Sequence, residues 1–373
     1  MDALAGVLSA VIAPAASEVD RSGTFPRSGL DALGEAGLMG LTSSMDVGGQ
    51  GKGLREAAAV VEKLAAVDAS TAMVVMMHYA ATAVVEAHGP REVRQAIAAG
   101  RHLTTLAFSE AGSRAHFWAP QGTAAPVGRE VRLDAEKSWI TSAGEADSYV
   151  WSSKPLAAEG PMTLWLVPAN AAGLSQPGAF DGLGLRGNGS RPVTAQGVLV
   201  PVAAMLGADG AGLDIALGSV LPTFLVLSAS VSLGLMEAVT AEAAQHLTST
   251  RLLHLDRALS EQTVTRLDYA RMRLETDRTR AFIEDTLAAL ESGRSDAMLR
   301  VLEVKAAAAE SAIMVTDLGM KVGGGSAFRK DLGLERRFRD ARAARVMAPT
   351  TDALLDFVGR ATLGLPLLDG AVA

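Results

Sequence analysis

Near its C-terminus the chain reads Lys321-Val-Gly-Gly-Gly-Ser-Ala-Phe328, then Leu334-Glu-Arg-Arg-Phe-Arg-Asp-Ala-Arg342, then Met347-Ala-Pro-Thr-Thr-Asp352. Three consecutive glycines after an apolar helical run predict the end of that helix, and without a Cβ they let the backbone approach another group closely. The alternating charges of the second segment are typical of a solvated helix face or of salt bridges between helices. Pro349 then interrupts the pattern. The stretch predicts helix, glycine turn, charged helix, break and helix.

Helical periodicity extends on the N-terminal side of this stretch and again through the first hundred residues. Apolar residues recur at three- and four-residue spacing, as on one face of a helix. The C-terminal runs are Asp214–Thr250, Ser260–Ser292 and Ser295–Lys321, and the clearest N-terminal runs are Leu54–Val67 and Ser70–Ala87. Three long consecutive helices pack most simply as an antiparallel bundle.

Between these helical parts, from about residue 104 to 203, the chain has the character of β-structure. Short apolar runs are separated by turn residues roughly every ten positions, a spacing typical of an all-β domain. The predicted strands are Tyr149–Ser153, Thr163–Pro168 and Val193–Val200. We therefore predict an α+β multidomain fold with an N-terminal helical domain (1–103), a middle β domain (104–203) and a C-terminal four-helix-type bundle (204–373).

Composition narrows the functional classes. A net charge of −7 argues against nucleic-acid or anionic-membrane partners, and the absence of cysteine excludes thiolate catalysis and disulfides. The N-terminus lacks the basic residues that open a signal peptide, so we expect a cytoplasmic protein. The uncharged segment from Ile215 to Met236 is long enough to span a bilayer, but Pro222 and several hydroxyl residues favour a helix buried on all sides.

Three motifs in order resemble the acyl-CoA dehydrogenase family over nearly the whole chain. They are Phe108-Ser-Glu-Ala-Gly-Ser113, Lys137-Ser-Trp-Ile-Thr-Ser142, and the combination of Gly323-Gly324 with Leu334-Glu-Arg336 and Arg339-Asp-Ala341. The resemblance implies an FAD-dependent oxidoreductase that acts on an acyl thioester and passes electrons to an acceptor or to oxygen. It also implies a homo-oligomer, either a dimer or a homotetramer.

The resemblance further implies which residues contact FAD. Trp139 stacks beside the flavin ring and Thr141 bonds it, while Phe108, Ser109 and Ser113 form the facing loop. Arg251 and Gln262 match a loop that reaches the FAD pyrophosphate of a neighbouring subunit, and His254 stands where the family often has phenylalanine. Gly323 and Gly324 meet the partner's cofactor, and Thr350 meets the cofactor of its own subunit. An aromatic plane with nearby donors suits an isoalloxazine.

The chain departs from the family at the catalytic base. Family members commonly carry a glutamate followed by Gly-Thr at the position where this chain has Ala348, Pro349 and Thr350. A second location of the base in the family corresponds to Thr223, and Phe224 replaces an arginine that usually assists. Removal of an α-proton normally requires a positioned carboxylate. Neither family location holds one here.

Two other side chains are candidates for the base. His78 lies on a helix expected to wall the substrate pocket and titrates near neutral pH, although a lone histidine on an apolar helix is more often a core residue. His78 is therefore the predicted catalytic residue. Asp352 lies one helical turn beyond Ala348, but an N-cap for the helix from Ala353 is the better interpretation.

Three functions follow from these observations. The first is α,β-dehydrogenation of an acyl thioester, on CoA or a carrier protein, with a non-standard base. The second is a flavin-dependent monooxygenase on the same fold, which uses reduced flavin and oxygen and needs no glutamate. The third is a non-catalytic relative that acts as a binding subunit. The sequence around Trp139 favours the first, whereas Ala348 favours the other two.

Overall fold

The computed structural model describes residues 2–114 and 116–368 and confirms the predicted order of helical, β and helical parts. Asp68 begins the helix Ala69–His88 by accepting hydrogen bonds from the backbone N–H groups of Ser70 and Thr71, at 3.3 and 3.0 Å. This helix is almost entirely buried. The N-terminal helices are α1 Asp2–Ser22, α2 Arg27–Glu35, α3 Leu54–Val67, α4 Ala69–His88 and α5 Arg91–Ala98.

The β part consists of two four-stranded sheets. One sheet has the order β1-β4-β5-β8, with β1 parallel to β4, and the other has the antiparallel order β2-β3-β7-β6. Trp151 pairs with Trp165 across β4 and β5, and both side chains are fully buried. The strands are β1 Thr104–Ala107, β2 Thr123–Val127, β3 Glu130–Ile140, β4 Ser148–Ser153, β5 Thr163–Pro168, β6 Leu174–Ser175, β7 Arg191–Pro201 and β8 Met205–Leu206.

The C-terminal part is built on three long helices that pack against one another. The first of them also packs on α3, so the core is continuous with the N-terminal part. A short hairpin, β9 Arg251–Leu252 with β10 Arg257–Ala258, separates the first long helix from the second. The helices are α6 Gly212–Ser249, α7 Thr263–Ser292, α8 Ala297–Ala327, α9 Leu334–Asp340, α10 Ala343–Val346 and α11 Thr351–Thr362.

The glycine stretch interrupts α8 as the sequence predicts. Gly324 leaves the helical region, with φ 54° and ψ −137°, and one short helical segment follows it to Ala327. The predicted stop therefore falls at the second of the three glycines. Asp352 is also not the N-cap of α11, because the Oγ1 atom of Thr350 accepts the hydrogen bond from the Ala353 N–H group at 3.3 Å.

Two helices are long and apolar enough to cross a membrane by length and hydropathy alone, α1 and α6. In the apolar window of α6, 67% of the residues are buried inside the protein, compared with 22% for α1. Helix α6 packs against α3, α4, α7 and α8. This packing agrees with the predicted core helix.

Candidate active site

A cavity of about 900 Å³ lies where all three parts of the chain meet. Its wall combines residues of α4 and α6, both sheets, the loop from Phe180 to Ser190, and the turn between α10 and α11. Much of this wall is apolar, as in pockets that hold an acyl chain or an aromatic ring. The apolar residues that α4 and α6 contribute to the wall are Met73, Met77, Ala216, Val220, Leu221 and Phe224.

Trp139 presents its indole ring to this cavity. The pairing of β3 with β7 shifts register between Lys137 and Ile140, and Trp139 adopts a positive φ of 57°. A positive φ is unfavourable for a bulky residue and is often found at functional sites. The side chain is 71% exposed, and Phe180 meets it edge-on at 6.5 Å between ring centroids. The Thr141 Oγ1 atom lies nearby on the wall, 3.2 Å from the Ser190 Oγ atom.

The loop after β1 contributes Phe108 and Ser109 to the same wall. The Ser109 carbonyl accepts the Ser138 N–H group at 2.9 Å, which ties this loop to the Trp139 strand. Ser113 is buried, and its Oγ atom has no hydrogen-bond partner among the described residues. The structure thus brings Phe108, Ser109, Trp139 and Thr141 to one cavity, with Ser113 in the adjoining loop.

A buried ion pair supports this arrangement, and the sequence interpretation missed it. The Lys137 Nζ atom lies 2.6 Å from the Glu110 Oε1 atom and also donates to the carbonyl oxygen and hydroxyl of Ser152. The carboxylate accepts the backbone N–H groups of Gln121 and Gly122. Burial lowers the pKa of Lys137 to about 8, although Glu110 opposes the shift. Both residues lie within quoted motifs, but nothing in their spacing indicates that they pair.

Helix α9 holds the loop from Phe180 to Ser190, which forms another part of the cavity wall. The Asp340 Oδ1 atom accepts the Leu185 N–H group at 2.6 Å, and Arg339 donates to the Leu183 carbonyl at 3.0 Å. Gly184 lies so close to the Arg339 backbone that an added Cβ would stand 2.7 Å from its carbonyl carbon. Burial raises the pKa of Asp340 to about 7. The Arg-Asp motif therefore positions the loop that carries Phe180.

The turn between α10 and α11 lies in the wall where the family places its glutamate. Met347, Ala348, Pro349 and Thr350 all line the cavity, and the Ala348–Pro349 peptide bond is cis. At the place where the resemblance implies a glutamate, the side chain in the wall is therefore a methyl group. Thr350, a predicted cofactor contact, caps α11 at the same place.

Among the described residues, no unpaired carboxylate lines the cavity. Glu110 is the acidic residue of the wall, and it is neutralised by Lys137. Arg339 is paired with Asp20 and Glu335, and Arg342 is paired with Asp317. Thr223, the second possible location of the base, donates its hydroxyl to the Ser219 carbonyl at 2.9 Å and does not line the wall.

His78 does not reach the cavity, and its predicted catalytic role conflicts with its placement. The residue is 0% exposed. Its Nε2 atom bonds the Met39 carbonyl at 3.1 Å, and its Nδ1 atom accepts the Thr104 N–H group at 3.2 Å. Burial lowers the pKa of His78 to about 4. Both ring nitrogens are used by the backbone, so the imidazole joins the N-terminal part to β1.

The remaining predicted cofactor residues lie away from the cavity. Arg251 and His254 belong to the exposed β9–β10 hairpin, with Gln262 beside it, and Gly323 and Gly324 lie at the end of α8. The Arg251 guanidinium donates to the carbonyl and carboxylate of Asp256. Because these residues are expected to serve a neighbouring subunit, their role stays a prediction.

The cavity fits a flavin ring by its own chemistry. An exposed indole at a positive φ offers a stacking surface, and the hydroxyls of Thr141, Ser109 and Ser190 lie on the same wall. The Oγ atoms of Ser113 and Ser142 are buried without a partner among the described residues.

Known families match both ends of the chain. The model of the acyl-CoA dehydrogenase N-terminal domain matches residues 1–100, and that of the acyl-CoA dehydrogenase C-terminal domain matches residues 210–363. The chain is similar to a mitochondrial isobutyryl-CoA dehydrogenase of Dictyostelium discoideum, with 24% identity over 340 residues that cover 90% of this chain and 81% of the relative.

Solved structures share the fold over almost the full length. Butyryl-CoA dehydrogenase from Megasphaera elsdenii superimposes with a TM-score of 0.90 at 21% identity, covering 97% of this chain and 96% of that chain. The prolyl acyl carrier protein oxidase AnaB superimposes with a TM-score of 0.89 at 17% identity, covering 98% and 97%. At these identities the superpositions establish the fold.

Proposed function

Since the chain belongs to the acyl-CoA dehydrogenase family of FAD-dependent oxidoreductases, we propose that it oxidises an acyl thioester, carried on CoA or a carrier protein, without a carboxylate base in the cavity wall. The observation that carries this proposal is the cavity itself. Its wall combines several of the predicted flavin contacts with apolar side chains and includes Ala348, where the resemblance implies the base.

Different residues of the wall would bind the flavin ring and the acyl chain. Trp139 and Thr141 would hold the flavin ring from one side, with Phe108 and Ser109 at the loop beside it and Thr350 at the turn. FAD, when bound, supplies a hydride acceptor. The apolar side chains of α4 and α6 would take the acyl chain and exclude water from it.

Desaturation also releases a proton from the α-carbon, while a hydride leaves the β-carbon and a double bond forms between them. Ala348 has no atom that can accept this proton, and the Glu110 carboxylate is already bound to Lys137. We therefore propose that the acceptor is water or a group on the substrate. A missing general base costs about 10²–10⁴ in rate, so substrates with an acidified α-proton should be preferred.

The absence of an unpaired carboxylate among the described wall residues also favours a second candidate, a flavin-dependent monooxygenase on the same fold. Such a reaction needs reduced flavin and oxygen but no base at position 348. A binding subunit without its own reaction is the third possibility, and it differs from both in taking up no FAD.

One experiment separates these functions. The purified protein is loaded with FAD, and the absorbance of the flavin is followed during anaerobic addition of acyl-CoAs of several lengths and after photoreduction and exposure to oxygen. We expect bleaching by an acyl-CoA and slow reoxidation by oxygen. Rapid reoxidation without acyl-CoA bleaching would support the monooxygenase, and a protein that refuses added FAD would support the binding subunit.

We also propose a homo-oligomer, a dimer or a homotetramer, in a cytoplasmic location. Two apolar side chains near the predicted partner contacts support the assembly, since Leu253 of the hairpin is 89% exposed and Phe328 after α8 is 84% exposed. A subunit interface that covered these two side chains would remove their apolar surface from water. The electron acceptor would be a second protein or oxygen, and size-exclusion chromatography with light scattering measures the assembly.

A further inference from the structure

Lys305 is a fully buried lysine in the middle of α8, with 1% of its surface exposed. Its Nζ atom donates to the carbonyl oxygens of Met347 at 2.8 Å and Pro349 at 2.6 Å. Among the described residues it has no ion pair with a carboxylate. A buried ammonium without a counter-charge is costly, so it is retained only where hydrogen bonds compensate for lost water.

The two accepting carbonyls stand on either side of Ala348. The same turn carries Thr350, whose hydroxyl caps α11, and residues 347–350 all line the cavity. No backbone N–H group among the described residues donates to either of these two carbonyls, so both depend on another donor. One side chain from the bundle core thus supplies the hydrogen bonds that hold a segment of the active-site wall.

We propose that Lys305 is a positioning residue for the active site. Its ammonium group holds the 347–350 turn and thereby sets where Thr350 and the side chain at position 348 face cofactor and substrate. The part of this inference that concerns FAD rests on the proposed function. The part that concerns the turn rests on the two hydrogen bonds alone.

The test compares Lys305→Met with the wild type and with Lys63→Met, which makes the same change at an exposed lysine of α3. Hydrogen exchange is followed at amides that depend on the turn, those of Met347, Ala353 and Leu354. The FAD dissociation constant and the flavin absorption spectrum are measured on the same preparations. We expect Lys305→Met to exchange at least tenfold faster at these amides, to weaken FAD binding at least tenfold and to shift the flavin spectrum, while Lys63→Met matches the wild type.

Three results would overturn the proposal. They are unchanged exchange in the turn, equally accelerated exchange throughout α3, or a loosened turn with unchanged FAD affinity and spectrum. If Lys305→Met does not fold, Lys305→Gln replaces it, because its amide retains a donor. Intermediate exchange and affinity then support the proposal, and wild-type values contradict it. A wild-type protein that takes up no FAD refutes the proposed function, and the exchange comparison alone then decides the role of Lys305.

Discussion

Replacing His78 by alanine should destabilise the protein but leave the turnover of the folded protein unchanged. The change leaves the Met39 carbonyl and the Thr104 N–H group without their partner. Each unpaired buried group costs about 1–3 kcal/mol. The cavity left by a fully buried ring adds to this cost. We expect a total loss of about 4 kcal/mol or more, and a melting temperature lower by at least several degrees.

The pH dependence of stability provides a second measurement on the same variant. His78 is neutral in the folded state because burial lowers its pKa to about 4. The unfolded histidine titrates near about 6.5. The stabilising contribution of neutral His78 to the free energy of unfolding is therefore fully present above pH 6.5 and is lost as the pH falls through 4. At about 1.4 kcal/mol per pH unit, the loss amounts to about 3 kcal/mol. The His78→Ala variant should show a correspondingly flatter dependence between these pH values.

The assays are urea unfolding at several pH values, FAD content, and turnover by the folded fraction. His88→Ala is the matched control, because His88 lies exposed on the same helix, and it should behave as the wild type. Normal stability together with turnover reduced by about 10²-fold or more would refute the structural assignment and restore His78 as the base.

Three further changes test other parts of the site. Arg251→Ala should weaken FAD retention roughly tenfold if its guanidinium serves a neighbouring subunit, and unchanged FAD content after dialysis would exclude that role. Glu110→Gln should lower the free energy of unfolding in urea by about 3–5 kcal/mol, because Lys137 is left buried without its partner. The double variant Glu110→Gln with Lys137→Met should lose less stability. Equal losses in the two variants would contradict the ion-pair argument. Burial lowers the pKa of Lys305 to about 7, compared with about 10.4 when unfolded, so stability should rise with pH between these values by up to about 5 kcal/mol. Lys305→Met should abolish that rise, and a persistent rise would assign it to other groups.

Periodicity alone predicted the main elements well. Helix α3 has the predicted bounds Leu54–Val67, and β5 has the predicted bounds Thr163–Pro168. Each of these elements buries one face or all of its faces, so the spacing of its apolar residues predicts which side chains lie in the core. The glycine stretch was also informative, because the backbone leaves the helical region at Gly324 as local propensity predicts. The short helical segment that follows to Ala327 was not predicted.

The site was only partly predictable. Trp139 and Thr141 were found through motifs, and the structure brings both to the cavity. The pairing of Glu110 with Lys137 and of Lys305 with the 347–350 turn joins residues far apart in the chain, and a sequence pattern does not show such contacts. The buried setting of His78 was missed for the same reason, because its partners are Met39 in a turn and Thr104 on β1.

We propose that an acyl thioester is oxidised in this cavity although the described residues of its wall include no unpaired carboxylate to act as base. Ala348→Glu tests it most directly, because the carboxylate would stand where the family carries one and the wall residue it replaces is small. In FAD-loaded protein under anaerobic conditions, we predict that acyl-CoA bleaches the flavin about 10²-fold faster or more in the variant than in the wild type. Ala348→Gln is the matched control and should give no gain. A folded, FAD-loaded Ala348→Glu protein that acyl-CoAs of several lengths fail to bleach faster than the wild type would contradict the claim.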